Sequence, residues 1–229
     1  MLIYAHRGAS ADFPEHTLEA YEAAVEQGAD GFECDVRLSK DGVAVLWHNA
    51  TMLERAGNDG WIAEMTFAEI RKAYPQILTL EKFLEFAIAK KKGVLIETKH
   101  PVISGNRIEE EVVRLLYETK ALNRIDVAVM SFSWFAIEKV KRLDPYIKTT
   151  FLLRERTRNT FSKTTSAKIL GPSIEELHGN DEYQSYIKSL NKPLYIWTVD
   201  TKAHVELAQE LGARILITNK PAHARACLK

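Results

Sequence analysis

Short apolar runs alternate with longer amphipathic stretches from one end of the chain to the other. The runs are LIYA from Leu2, GFECDV from Gly31, VLIE from Val94, VAVM from Val127, TTFLL from Thr149, KIL from Lys168, LYIW from Leu194 and RILIT from Arg214. Such near-continuous runs are the pattern of strands covered on both faces. Between them apolar residues recur at helical spacing, at Leu18, Tyr21 and Val25, at Leu80, Phe83 and Leu84, at Val112, Leu115 and Leu116, and at Val205, Leu207 and Leu211. Thr66 with Glu69, Asn106 with Glu109 and Ser173 with Glu176 have the spacing of capping boxes at helix starts. Eight strands, each followed by a helix, predict an α/β chain closed into a (β/α)8 TIM barrel rather than an open doubly wound sheet. No G-x-G-x-x-G follows a strand and no Walker A sequence is present, which argues against the nucleotide-binding sheets. Residues 49–76 break the rhythm and are too long for a simple loop, so an insertion or lid on one rim of a single domain, 1–229, is expected.

Composition narrows the class without naming a function. With 229 residues, the chain buries about 70% of its unfolded surface and needs no metal or disulfide to hold a core. Lys plus Arg and Asp plus Glu are 31 each. That balance gives no electrostatic case for nucleic acid or an anionic membrane, and any anion site must be local. No apolar run approaches the ~20 residues that span a bilayer, so no stable membrane insertion is expected. Met1 leads directly into Leu2, Ile3 and Tyr4, without a basic, apolar, small-residue leader. Cys34 and Cys227, at opposite ends, read as two free thiols of a reducing compartment. A cytoplasmic protein is expected; its oligomeric state is left open.

The strands turn polar only at their C-terminal ends: His6 and Arg7, Glu33 and Asp35, Glu97 and Lys99, Ser131, Trp197 and Thr198, and Asn219. In a barrel these ends share one rim, where sites of this fold are built. Glu33 and Asp35 are two apart and so share a face, as do Glu97 and Lys99, while Cys34 points the other way. Asp41-Gly42 between apolar runs signals a hairpin. With those two as the turn, pairs across it sum to 83 and set Asp35 opposite His48. Three converging carboxylates, Glu33, Asp35 and Glu97, call for a cation, and an all-oxygen set suits Mg²⁺, Ca²⁺ or Mn²⁺ rather than zinc. A structural salt-bridge cluster with Lys99 and Arg7 is the competing arrangement.

Ala5-His6-Arg7-Gly8-Ala9, Pro14-Glu15-His16-Thr17, Glu33-Cys34-Asp35-Val36, Asp41-Gly42 with Trp47-His48, Glu97-Thr98-Lys99 and Trp197-Thr198-Val199 resemble, in order and spacing, the glycerophosphodiester phosphodiesterase family. The resemblance runs from residue 3 to about residue 221. It implies a barrel of the phospholipase-C-like phosphodiesterase type that hydrolyses glycerophosphodiesters, such as glycerophosphocholine or glycerophosphoethanolamine, to sn-glycerol 3-phosphate and an alcohol. By this resemblance His6 and His48 are the acid/base pair and Glu33, Asp35 and Glu97 the metal ligands. Arg7, Glu15 and Lys99 fall on positions that bind phosphate and glycerol, and Trp197 on one that lines the pocket. The family generally writes E-N-T, H-D and T-D-x-P where this chain has His16, Asn49 and Asn219. Asn49 lacks an Asp's charge, so a lower His48 pKa than in relatives is expected.

Hydrolysis of a phosphodiester needs charge neutralisation at phosphorus, a base and an acid, and a cation, Arg7, Lys99 and the two histidines supply them. Which histidine plays which part, and whether water or the glycerol 2-hydroxyl attacks first, stay open. The alternatives are a phospholipase D or phospholipase-C-like lyase on the same fold, or a catalytically dead glycerophosphoryl-binding module. A phospholipase predicts an exposed apolar lid, and GNDGWIAEMTFAEI from Gly57 is only mildly apolar. Residues 154–168 add a local excess of charge, with Arg154, Arg156, Arg158, Lys163 and Lys168 against Glu155. Following TTFLL, this run leaves from the same rim and is expected either to steer phosphodiesters or to be a solvated face.

Overall fold

A computed structural model describes residues 1–154 and 160–228. The strands are β1 (Leu2–His6), β2 (Gly31–Leu38), β3 (Ala44–Leu46), β4 (Gly93–Thr98), β5 (Val127–Ser131), β6 (Lys148–Leu153), β7 (Ile169–Pro172), β8 (Tyr195–Ile196) and β9 (Ile215–Thr218). All but β3 are parallel, in the order β7-β6-β5-β4-β2-β1-β9-β8. Two isolated parallel bridges, Leu170 to Leu194 and Ser173 to Trp197, join the ends, so the sheet is a nearly closed barrel of eight parallel strands. The expected strands all form, within two residues at each end.

Around the barrel lie α1 (Leu18–Glu26), α4 (Leu80–Lys90), α5 (Arg107–Glu118), α6 (Trp134–Leu143), α7 (Thr160–Thr164), α8 (Ile174–Leu177), α9 (Asp181–Ser189), α10 (Lys202–Glu210) and α11 (Pro221–Cys227). Between β3 and α4 come α2 (Leu53–Ala56), a 3-10 turn (Ile62–Glu64) and α3 (Phe67–Ala73). Met52, Ile62 and Ile70 are fully buried there against Val45, Trp47 and Ile77, a small core separate from the barrel's. Thr66 and Glu69 make the expected capping box on α3. Asn106 and Ser173 start α5 and α8 without a side-chain cap bond. Glu109, expected to close a box, instead turns inward, with Oε1 2.8 Å from His100 Nε2.

Period-two alternation sorts each strand. Ile3, Ala5, Phe32, Cys34, Val94, Ile96, Val127 and Val129 pack in the layers shared with the helices. Tyr4, Leu95, Ala128, Met130, Leu152, Ile215 and Ile217 fill the barrel interior. One further period along β1 and β4 reaches His6 and Glu97, at the end of the apolar stack. Register aligns them, with His6 beside Glu33 and Asp35 beside Glu97.

The hairpin differs from the expected one. Pairs are Val36 with Leu46, Arg37 with Val45 and Leu38 with Ala44, which sum to 82, so Asp35 faces Trp47 and not His48. The loop has three residues, Lys40, Asp41 and Gly42, closed by Ser39 N–H donating to Val43 O at 3.0 Å. Gly42 takes φ +86°, the left-handed position such loops place last. Asp41 Oδ1 accepts from Ser39 Oγ at 2.6 Å and from Phe67 N–H at 2.9 Å, tying the turn to α3.

Candidate active site

A cavity of about 130 Å³ opens at the C-terminal end of the strands. His6, Arg7, Glu33, His48, Glu97 and Lys99 form its polar wall, and Met130, Phe132, Leu152, Trp197 and Ile217 its apolar one. Among the described residues, Glu33, Asp35 and Glu97 are the acidic group able to hold a metal ion, with one oxygen of each within 4.8 Å of the others. Two cations meet them. Lys99 Nζ lies 2.7 Å from Glu97 Oε1 and 3.1 Å from Asp35 Oδ1. Arg7 Nε lies 2.8 Å from Asp35 Oδ2, while its Nη1 donates to Glu15 Oε2 at 2.9 Å. Arg55, from α2, reaches the same Glu15 oxygen at 3.1 Å.

Backbone geometry at β1's end makes this convergence possible. Arg7 and His16 both take left-handed φ, near 60°, and His16 N–H donates to Arg7 O at 3.0 Å. The loop they close brings both side chains to one oxygen of Asp35, with His16 Nε2 3.1 Å from Oδ2. His16 is buried, and its Nδ1 lies 3.0 Å from the Tyr21 hydroxyl, which donates to Glu33 O at 3.2 Å. The sequence marked His16 only as a departure from the family pattern. Its role behind Asp35 could be inferred only from the fold.

Local fields divide the carboxylates. Burial alone raises Asp35, but Arg7 and Lys99 hold it well below the usual range. Burial and then the Asp35 charge push Glu33 far up and Glu97 to about 7. Both Glu33 oxygens are buried without a hydrogen-bond partner. A buried carboxyl group in that state is costly unless a cation meets it, so the all-oxygen set fits a hard divalent ion. The salt-bridge alternative accounts for Asp35 and Glu97 but leaves Glu33 unpartnered.

Both expected histidines line the cavity, His48 by a route other than strand pairing. Past β3 the chain leaves the ladder, and Arg37 fixes the turn by donating to His48 O from Nε at 3.0 Å and Nη2 at 2.8 Å. Burial lowers His48, chiefly, and takes His6 down to about 4 with Arg7 adding to the shift. Trp197 is held by its indole N–H on Gly171 O at 2.8 Å and meets Phe132 edge-on at 5.5 Å. Arg154, exposed at the mouth, stacks 4.8 Å from the centre of the Phe132 ring. Phe132 was missed because its run, VAVM, stops two residues short. Of the basic run, Arg156, Arg158 and Glu155 lie outside the described residues.

Comparisons with known proteins bear on the fold and the family. A phosphodiesterase from Oleispira antarctica, solved in complex with the product sn-glycerol-3-phosphate, superposes with a TM-score of 0.88 at 21% identity, covering 100% of this chain and 96% of that one. A glycerophosphodiester phosphodiesterase structure from Thermotoga maritima gives 0.84 at 22% identity, covering 100% and 98%. In sequence, the glycerophosphodiester phosphodiesterase of Caldanaerobacter subterraneus is 30% identical, over 96% of this chain and 94% of its own length. A Mycobacterium tuberculosis protein named "Probable glycerophosphodiester phosphodiesterase 1" is 31% identical, over 99% and 92%. The chain is a (β/α)8-barrel enzyme of the phosphoric diester hydrolase class. It belongs to the glycerophosphoryl diester phosphodiesterase family, whose model matches residues 6–223. No helix among the described residues is long and apolar enough to cross a membrane.

Proposed function

We propose that the protein hydrolyses small glycerophosphodiesters, such as glycerophosphocholine or glycerophosphoethanolamine, to sn-glycerol 3-phosphate and an alcohol, with a divalent cation held by Glu33, Asp35 and Glu97. The observation that carries this is Glu33, buried with neither oxygen partnered, 3.9 Å from His6 Nε2 and within 4.8 Å of two further carboxylates. Mg²⁺, Ca²⁺ and Mn²⁺ all suit the oxygen donors, and when bound such an ion supplies Lewis-acid polarisation of the phosphoryl oxygens.

Arg7 and Lys99, already anchored by Asp35, add positive charge without having to reorganise as the transition state forms. His6 and His48 enter from β1 and from the hairpin end, two bases near phosphorus, and exchange protons with nucleophile and leaving group. Glu15 holds Arg7 in place, and the Trp197 and Phe132 wall takes the carbon skeleton of the glycerol. Residues 1–229 act as one domain, with 49–76 as an insertion whose Arg55 closes on Glu15. A cytoplasmic role in the turnover of deacylated phospholipids, feeding lipid and glycerol metabolism, suits such a substrate. The test is release of glycerol 3-phosphate from glycerophosphocholine with and without exhaustive chelation. Full turnover after chelation refutes the metal role, and a cyclic phosphate product would favour the lyase alternative.

A further inference from the structure

Each cavity histidine is held from behind by an amide, and each amide is oriented by a carboxylate. Asp200 follows β8 and can only accept hydrogen bonds. Its Oδ1 takes the Thr218 hydroxyl at 2.9 Å and the Asn219 backbone N–H at 2.8 Å, and its Oδ2 takes Asn219 Nδ2 at 2.6 Å. This fixes which way the Asn219 amide points. Its oxygen is left to face His6 Nδ1 at 2.7 Å, with the Ser10 hydroxyl 2.8 Å from the same atom. An amide oxygen cannot donate, so the shared proton belongs to His6 Nδ1, and Nε2 presents its lone pair to the cavity, 3.9 Å from Glu33. His48 repeats the pattern, its Nδ1 lying 2.8 Å from Asn49 Oδ1 while Asn49 Nδ2 donates to Glu54.

We propose that Asp200 is a positioning residue that sets the tautomer and ring orientation of His6 through Asn219, although it has no place in the cavity lining itself. The inference rests on the acid/base role given to His6 above. A side chain one residue beyond the histidine's own contact thereby decides that protons enter and leave at Nε2.

Exchanging the two groups tests this. In Asp200→Asn the fixed backbone N–H of Asn219 keeps the new amide's oxygen on its side, which turns the new NH₂ toward Asn219 Nδ2. Two donors then face each other, so Asn219 must rotate and offer Nδ2 to His6. We expect kcat to fall on the order of 10- to 100-fold with KM nearly unchanged, the usual range for partners behind a functional histidine. Imidazole ¹⁵N NMR of the full chain should show the His6 proton moving from Nδ1 to Nε2. Adding Asn219→Asp restores an acceptor toward His6 Nδ1, and should return both the tautomer and most of kcat. An unmoved His6 tautomer in Asp200→Asn overturns the proposal, and so does a double variant whose kcat stays at the single variant's level. If the wild type releases no glycerol 3-phosphate while the tautomer follows the exchange, the functional proposal fails and only the setting of the His6 tautomer by Asp200 stands.

Discussion

At the scale of single residues, the acid groups are divided by their surroundings rather than by type. Asp35 keeps its charge because Arg7, Lys99 and His16 crowd it, whereas Glu33 has only His6 Nε2, at 3.9 Å, and neither of its oxygens accepts a hydrogen bond. Replacing Glu97 by Gln keeps the shape of the strand end and removes the negative charge of a proposed metal ligand. Metal affinity, followed by calorimetry, should fall about 10- to 100-fold and activity with it, with the melting curve little changed. His6→Ala and His48→Ala should each lower turnover by roughly 10²- to 10⁴-fold, checked by steady-state kinetics. Because burial lowers His48, its imidazole is the free base at neutral pH, and protonation occurs only below the ordinary value of 6.5. The acidic limb of kcat/KM assigned to His48 should therefore lie below pH 6.5 and disappear in His48→Ala; a limb that survives makes His48 structural. His6 and the carboxylates were legible because they end apolar strands and period two fixes their faces, whereas His48 was reached through a hairpin pairing that the structure does not make. Asp200, His16 and Phe132 were not, since each sits in a loop and gains its role only from a partner remote in sequence.

At the scale of elements, every strand was legible, because a run covered on both faces leaves little choice of structure. The hairpin register was not. Asp-Gly signals a turn, but whether two or three residues form it depends on Ser39, whose backbone pairs with Val43 and whose hydroxyl holds Asp41. The shift by one residue moved Trp47 into His48's expected place opposite Asp35. At φ +86° Gly42 has a conformation that other residues adopt at a cost, so Gly42→Ala should destabilise by about 1–2 kcal/mol in chemical denaturation. The separate apolar cluster around α2 and α3 makes a second test. Ile70→Ala, at a fully buried position, should cost about 2–5 kcal/mol locally. Limited proteolysis should then begin in residues 49–76 while α9 to α11 remain protected.

For the molecule as a whole, packing below the site is tight where β1, β2 and β4 meet. Tyr4 lies over Gly93, where an added β-carbon would come 2.1 Å from its hydroxyl. Gly93→Ala should cost about 1–3 kcal/mol, part of it recovered by adding Tyr4→Phe. Burial, then the Asp126 charge, raises the Tyr4 pKa above the ordinary 10. The unfolded chain ionises first, so this stability is complete below pH 10 and declines above it, by at most about 1.4 kcal/mol per pH unit. Urea titrations at pH 9 and 11 should show a steeper decline in the wild type than in Tyr4→Phe, where Tyr21 and Tyr195, also raised by burial, keep the remainder. The opposite side of the barrel is joined differently. Among the described residues β7 and β8 are joined by isolated bridges at Leu170 and Ser173 rather than by a continuous ladder, and the second of these pairs with Trp197. A ring fastened at two points is a hoop with a clasp. The clasp also carries Trp197, whose indole N–H bonds Gly171 O beside it, so the join that closes the hoop and the aromatic wall of the cavity are one piece of structure.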